Sequence, residues 1–412
     1  MRRCQKIFLL ILCIGICFFT GCSWLKTYSL KIEDIEIAKD INLADKIVFT
    51  KWKLKKTGAI TSMSIWLMDI NGENQICLVK HNDKNVLVMR PVFSPDSKKV
   101  AFIVNAAIRK KEFRDIFMIN THDKETLSRI TYDGKSSVPI FSPDGEKIFF
   151  MVENKGFGRK ENMDIYMTKI NDREHLRIKK IICGSKSYRH NFSPDRKKIL
   201  FIYSEPYKND YGYSNDKIYL MDIDDGDKIQ LVSSKYGLRS PSFSSNGQRI
   251  IFSMMDKNKE SDIYLINSDG TNLVRLTSTS ENEYSSSFSP NGTKIVFEAD
   301  KKIYIMSMDG KNKKLIFEYQ KKKDSKVSII DYSYIDSVAF SPDGEKIIFV
   351  LKENIFKVVS STSKDRQFEA KEEYDYANIY TIGVDGNSLT NLTNDKFSHN
   401  ESPRWCPVQE SD

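Results

Sequence analysis

From residue 46 onward the apolar residues come in short bursts, not at helical spacing. The bursts are rich in Ile, Val, Phe and Tyr and are bounded by Gly, Pro, Asn and Asp, which reads as a succession of strands and tight turns. One phrase recurs about every 52 residues, and self-similarity at that period marks a repeat architecture. It runs Phe93-Ser-Pro-Asp-Ser-Lys-Lys-Val-Ala-Phe102 and returns at Phe141–Phe150, Phe192–Phe201, Phe243–Phe252, Phe288–Phe297 and Phe340–Phe349. A shortened copy, Ser402-Pro-Arg-Trp405, closes the series. A second phrase interleaves with it: Ser64-Ile-Trp-Leu67, Asp115-Ile-Phe-Met118, Asp164-Ile-Tyr-Met167, Lys217-Ile-Tyr-Leu220, Asp262-Ile-Tyr-Leu265, Lys302-Ile-Tyr-Ile305 and Asn378-Ile-Tyr-Thr381. Asn71-Gly72, Asp269-Gly270, Asp309-Gly310 and Asp385-Gly386 follow several of these, and such dipeptides supply the positive φ angles of two-residue hairpins.

Each unit therefore predicts four short strands. Strand A ends at the Phe-Ser step, the Pro-Asp-Gly turn leads to strand B, a loop leads to strand C (Asp-Ile-Tyr), and a hairpin leads to strand D. Strands B and C are apolar on both faces, so each small sheet must be covered on both sides by neighbours. A ring of radially stacked sheets satisfies that requirement. The expected fold is all-β: a seven-bladed β-propeller of four-stranded antiparallel blades, with six blades as the alternative. The segment Lys46-Ile-Val-Phe49 is a strand B without its strand A, and Trp405 ends a strand A without its strand B. The two chain ends are expected to complete one blade.

The Phe-Ser-Pro-Asp-Gly-x-x-Ile-x-Phe phrase resembles the WD40-like repeat of the TolB family of exported propellers. The resemblance covers residues 46–408 and implies a scaffold or binding role in the bacterial envelope. TolB itself carries an α/β domain ahead of its propeller; residues 23–45 are too few for one, so the specific partner of TolB is not carried over. In this repeat Asp96, Asp144, Asp195, Asn246, Asn291 and Asp343 are expected to be structural, capping and tightening the turns.

The amino-terminal residues are of another kind. Arg2, Arg3 and Lys6 precede a continuously apolar run from Ile7 to Phe19, then Phe19-Thr20-Gly21-Cys22. The run is shorter than the roughly 20 residues that span a bilayer and reads as a secretory signal. The last four residues are similar to the lipobox of bacterial lipoproteins, with Phe19 where that family usually has Leu. The resemblance implies cleavage after residue 21 and a diacylglycerol thioether on Cys22, a membrane anchor for an exported domain. The chain then divides into a signal (1–21), a lipidated tether (22–45), the propeller (46–408) and a short tail (409–412).

Composition narrows the function. The 412 residues are 40% hydrophobic and 29% charged, enough for a large core. The net charge of +9 falls to +6 without the signal, too small an excess for a nucleic-acid binder, and no nucleic-acid partner is expected. Beyond the signal and Cys22, the cysteines Cys77, Cys183 and Cys406 are odd in number and contain no CxxC, which argues against a disulfide framework or a zinc site. A monomer without cofactor or metal is expected.

Strand alternation puts the A–B and C–D turns at one end of the ring and the B–C and D–A loops at the other. The irregular insertions 103–114, 151–163, 202–215, 318–334 and 350–377 all belong to the second end, which predicts a ligand face there. Candidate contacts are Tyr207, Tyr211 and Tyr213, Tyr374 and Tyr376 at the end of a mixed-charge insertion read as mobile, and His190, two residues before an A-strand Phe. The expected ligand is a protein, a peptide or an envelope glycan. No G-x-S-x-G elbow or phosphate loop is present, and no catalytic residue is assigned. The competing reading is a metal-dependent glycan-active enzyme of the oligogalacturonide-lyase type, whose activity uses several His in the channel. Only His190 and His399 among the five histidines (with His81, His122 and His175) are placed near it.

Overall fold

A computed structural model describes residues 35–38, 41–43, 45–54, 60–81, 83, 85–108, 111–121, 127–155, 161–170, 179–185, 190–195, 197–204, 215–223, 226–320, 328–359, 369–395 and 398–406. Side chains are described for most of these. All regular structure among them is β. The chain opens with β1 (Ile35–Ile37), β2 (Lys46–Leu54), β3 (Ile60–Asp69) and β4 (Ile76–His81). Five antiparallel sheets of four strands each follow. The first holds β5 (Val86–Phe93), β6 (Lys99–Ile108), β7 (Lys111–Asn120) and β8 (Leu127–Arg129). The second holds β9 (Ser136–Phe141), β10 (Lys147–Lys155), β11 (Glu161–Lys169) and β12 (Lys179–Ser185). The third holds β13 (His190–Phe192), β14 (Lys198–Ser204), β15 (Asp216–Asp222) and β16 (Lys228–Ser234). The fourth holds β17 (Leu238–Phe243), β18 (Arg249–Met255), β19 (Ser261–Asn267) and β20 (Val274–Arg275). The fifth holds β21 (Glu283–Phe288), β22 (Lys294–Ala299), β23 (Lys302–Ser307) and β24 (Lys314–Glu318).

The remaining strands are β25 (Ser328–Asp331), β26 (Tyr334–Phe340), β27 (Lys346–Val359), β28 (Glu369–Gly383), β29 (Thr390–Asn391) and β30 (Ser398–Trp405). With β1–β4 they form one ten-stranded assembly. Its two halves meet at a single parallel pair, Ala377 of β28 with His399 of β30. In one half β26, β27, β28 and β29 repeat the four-strand order. In the other, β30 lies antiparallel to β2, with Ile47 opposite Trp405 and Trp52 opposite His399.

The two sequence phrases are cross-strand partners. Phe102 stands opposite Phe117, Phe150 opposite Tyr166, Phe201 opposite Tyr219, Phe252 opposite Tyr264, Phe297 opposite Tyr304 and Phe349 opposite Tyr380. Their rings stack near-parallel, from 5.5 Å between centroids for Phe349–Tyr380 to 6.3 Å for Phe102–Phe117. Such aromatic pairs add about 0.5–1.5 kcal/mol beyond the area they bury. Apolar clusters lie between successive sheets: Phe252 packs with Leu200 and Ile218 of the preceding sheet, and Phe349 with Val296 and Ile303. Burial on both faces follows directly from the doubly apolar B and C strands.

The turn after each A strand is held by a serine. Ser94 is fully buried; its hydroxyl accepts the Lys99 amide at 2.8 Å and donates to Asp96, whose carboxylate accepts the Lys98 amide at 3.1 Å. The same set recurs at Ser142/Asp144, Ser193/Asp195, Ser244/Asn246, Ser289/Asn291 and Ser341/Asp343. Every described A strand but β13 also carries a bulge, with a non-glycine residue at positive φ three positions before the repeat aromatic: Arg90, Val138, Ser240, Ser285, Ser337 and Ser402. Proline follows four of them, at Pro91, Pro139, Pro241 and Pro403. A strand whose inner edge has no partner tolerates proline, because the missing N–H breaks no ladder bond.

Candidate functional site

The first residue of the Asp-Ile-Tyr phrase is a clamp at the loop end. Asp115 accepts the Gly134 amide at 3.0 Å, the Thr131 hydroxyl at 3.2 Å and Arg129 Nε at 2.8 Å. In the third sheet, where Lys217 opens the phrase, Asp216 just ahead of it accepts the Leu238 amide at 3.1 Å, and Asn378 accepts the Asp395 amide at 2.8 Å. Asp262 pairs with Arg275 at 2.5 Å. In each case a C strand fixes the connection that leads to the next A strand, at Asp262 through the Thr279 amide at 3.4 Å. Burial pushes the Asp115 carboxyl up to about 6 in spite of Arg129 beside it.

A different cluster forms where the two halves of the ten-stranded assembly meet. His399 and Glu401 on β30 face Lys352 of β27 and Asp375 of β28. Lys352 Nζ lies 2.6 Å from Glu401, His399 Nε2 lies 2.8 Å from Asp375, and His399 Nδ1 is 3.6 Å from Glu401. The His399 side chain keeps 13% of its exposure and Lys352 18%, while Asp375 keeps 36% and opens the cluster to solvent. Trp52 of β2 stacks on His399 with centroids 6.1 Å apart, and Lys352 sits over the exposed ring of Tyr334 at 5.3 Å. Burial works against the His399 proton, but the carboxylates of Glu401 and Asp375 outweigh it and raise the imidazole pKa above its ordinary value. Burial likewise opposes the Glu401 charge, yet His399 and Lys352 hold that carboxyl below the usual range. Lys352 is raised, burial again being overcome by Glu401. The cluster is thus a mixed, near-neutral patch of aromatic, acidic and basic groups drawn from five strands. Partly buried titratable groups with displaced pKa values on an accessible face are a functional-site signature.

The sequence expectations meet this geometry unevenly. Tyr376 is not a rim residue: it is buried, with 7% exposure, inside the β27–β28 ladder. The insertion 350–377, expected to be mobile, is in its described part a continuation of that ladder, pairing through Val359 with Glu369. His190 pairs with Phe201 in β13 and Tyr374 with Ile355 in β28, and their side chains lie outside the described set. Tyr207, Tyr211, Tyr213 and Cys22 lie outside the described residues, as do His122 and His175. His399, expected only to precede the last A strand, lies within it and acquires Glu401 and Asp375 as partners. Cys77 and Cys406 are free thiols raised by burial. His81 lies on β4 and His399 on β30, with β3 and β2 between them, and among the described residues no three His, Cys, Asp or Glu side chains gather as a metal site. The two histidines whose side chains are described, His81 and His399, are thus not brought together.

Comparison with known proteins now places the chain. The family model described as "TolB beta propeller domain" matches residues 42–206 and 191–371. The chain belongs to that family. Among solved structures, the β-propeller domain of the Trilobed protease from Pyrococcus furiosus aligns with TM-score 0.54 and 14% identity, over 88% of this chain and 98% of that one. Oligogalacturonate lyase in complex with manganese aligns with TM-score 0.50 and 12% identity, over 86% and 85%. TolB from Acinetobacter baumannii aligns with TM-score 0.45 and 22% identity, over 67% of this chain; the match spans 64% of the length of that TolB. At these identities the likeness is one of fold. No curated protein matches by sequence.

Proposed function

We propose that this protein is a lipid-anchored, non-catalytic, seven-bladed propeller of the bacterial envelope that binds a protein, peptide or envelope glycan through its loop end. The blade count is supported by the five separate sheets plus the two four-strand halves that meet at Ala377–His399. Closure of the ring is supported by the β30–β2 ladder, which pairs the last strand of the chain with one of its first. Anchoring rests on the signal-like segment and Cys22, with Ser23 behind it. Replacing Cys22 by Ala is expected to abolish incorporation of a fatty-acid analogue; labelling that persists overturns the anchor.

The observation that carries the binding role is the Trp52–His399–Glu401–Lys352–Tyr334 patch on the irregular end of an otherwise stereotyped ring. Interface cores are enriched in Trp and Tyr and draw energy from a few such anchors. In a pull-down from solubilised envelopes, the combined variant Trp52→Ala, Tyr334→Ala is expected to lose partners that the parent protein retains, while Gln248→Ala on the opposite end keeps them. The reverse pattern assigns the wrong end. The lyase-type alternative predicts stoichiometric transition metal in purified protein, and its detection would displace the binding reading.

A further inference from the structure

The segment ahead of β2 does not simply lead into the propeller. Ile35–Ile37 adds β1 to the outer edge of the sheet β30-β2-β3-β4, antiparallel to β4, with Ile35 opposite His81 and Ile37 opposite Val79. The Ala38 amide extends this ladder to the Leu78 carbonyl at 3.0 Å, and Lys80 pairs with Glu36 at 2.7 Å. Ile35, Ile41 and Leu43 are buried in the cluster that includes Val48, Leu78 and Val79. The register fixes a direction. In β4, Ile76 pairs with Leu67 near the C–D hairpin, and Lys80 pairs with Ser64 toward the loop end. Ile35, level with His81, is therefore at the loop end, and the chain runs from there toward the turn end to begin β2 opposite Asp69.

We infer that the loop end is the membrane-facing surface of the propeller, so that the Trp52–His399 patch looks toward the bilayer to which the chain is tethered. This rests on the anchored binding reading above. Residues 22–34 can reach at most about 45 Å, and Ile35, which they precede, lies at the end that carries the patch. Had the segment run free to residue 45, the tether would have left from the turn end, beside Lys46 and Asp69. The pinned strand moves the point of departure from beside Asp69 to beyond the level of the Lys80–Ser64 pair. The occupant of this surface is the lipid headgroup layer itself; the short-turn end points away.

The test reads orientation directly and independently of cellular lipidation. A protein beginning at Cys22, in a Cys77→Ala, Cys183→Ala background, is coupled through that thiol to a maleimide lipid. The vesicles are of phosphatidylethanolamine and phosphatidylglycerol and carry a headgroup-attached quencher. A fluorophore is introduced as an unnatural amino acid at exposed position 235, at the loop end, or 248, at the turn end. The intervening strand Leu238–Phe243 spans about 20 Å. Stronger quenching at 235 than at 248 is expected, and equal or reversed quenching overturns the inference. Releasing β1 with Ile35→Asp and Ile37→Pro should shrink the difference while the melting transition of the body is retained; a difference that persists shows that β1 does not set the orientation. Fatty-acid labelling that is absent from the parent protein in cells, or that persists in Cys22→Ala, would refute the native anchor alone, and retention of partners by Trp52→Ala, Tyr334→Ala would refute the patch alone.

Discussion

The two ends of the propeller sheets are built from the same strands but governed by different chemistry. At the turn end each A–B connection repeats one local solution, a buried serine hydroxyl and an acidic or amide side chain two residues on. At the loop end the solutions are long-range, and at the seam they join residues from both termini of the chain. The difference shows in their titration. The Asp343 carboxyl is held below the usual range by Ser341, and Asp195 by Ser193, whereas His399 and Asp115 are raised. Local turns keep carboxylates ionised by short hydrogen bonds; at the loop end burial and partner charges compete, and burial wins at Asp115 while the partner charges win at His399 and Glu401.

The largest effect should come from what both ends share. Phe349 is fully buried, stacks on Tyr380 and contacts the cluster of the preceding sheet. Phe349→Ala should destabilise the fold by about 3–5 kcal/mol, seen as a lower midpoint in urea unfolding. A loss below about 1 kcal/mol would mean that the sheets do not depend on face-to-face packing.

Next in size is the clamp. Asp115→Ala removes the partner of Arg129, whose side chain retains 14% exposure, and leaves Gly134 and Thr131 unsatisfied. Breaking a buried pair from one side costs about 3–5 kcal/mol, and the residual exposure of Arg129 sets the expectation near about 3. Asp115→Asn should cost less and add a signature. A carboxyl raised to about 6 from 3.8 contributes stability that is complete below pH 3.8 and lost as pH climbs through 6. That decline should disappear from the melting temperature profile of Asp115→Asn. An unchanged slope would place the titration on another group.

Much of this was legible in the sequence because it is local and repeated. The phrase ending in Phe102 or Phe252 marked strand B, and the Ile-Tyr phrase marked strand C, since each carries its apolar run within a few residues. The stacking of Phe252 on Tyr264 follows from their register, but only once the B–C loop length is known. The Asp of the turn is legible as a cap, and Asp96 accepts the Lys98 amide; the share of the serine is not, although Ser94 accepts the Lys99 amide. The bulge at Arg90 and Val138 had a weak signal, the proline that follows each, but positive φ at a β-branched residue has no sequence mark. The seam was not legible, because Trp52, Lys352, Asp375 and His399 belong to no shared phrase and meet only through the β30–β2 and β27–β28 pairings. The docking of β1 was hidden for a similar reason: Ile35 and Ile37 sit in a segment with no repeat to announce a partner.

Opposite pH limbs sharpen the comparison further. His399 is raised, so its stabilising contribution is complete below the ordinary value of 6.5 and is lost as pH rises through its folded-state pKa. Asp343 is lowered, so its contribution is complete above 3.8 and is lost as pH falls through its folded-state value. His399→Gln should flatten the alkaline limb of stability and leave the acid limb, and Asp343→Asn should do the converse. A profile in which both variants alter the same limb would mean that the two ends share one titrating network.

The smallest effect tests whether the repeated turn is locally self-sufficient. Ser341 is buried, accepts the Lys346 amide at 2.9 Å and donates to Asp343. Ser341→Ala deletes both bonds and leaves one buried amide without its acceptor, which costs about 1–3 kcal/mol. Because Gly344 still donates to the Ser341 carbonyl at 2.9 Å, the backbone turn should persist and the cost should fall near about 1 kcal/mol. The Asp343 carboxyl should then drift back toward its ordinary value, since the hydroxyl is its largest source of depression. Carboxyl chemical shifts followed against pH in the parent and in Ser341→Ala measure that drift, and the titration of His399 at the other end should not move with it. A coupled shift of His399 would show that strain at one turn crosses the sheet, and the two ends would then have to be treated as one device.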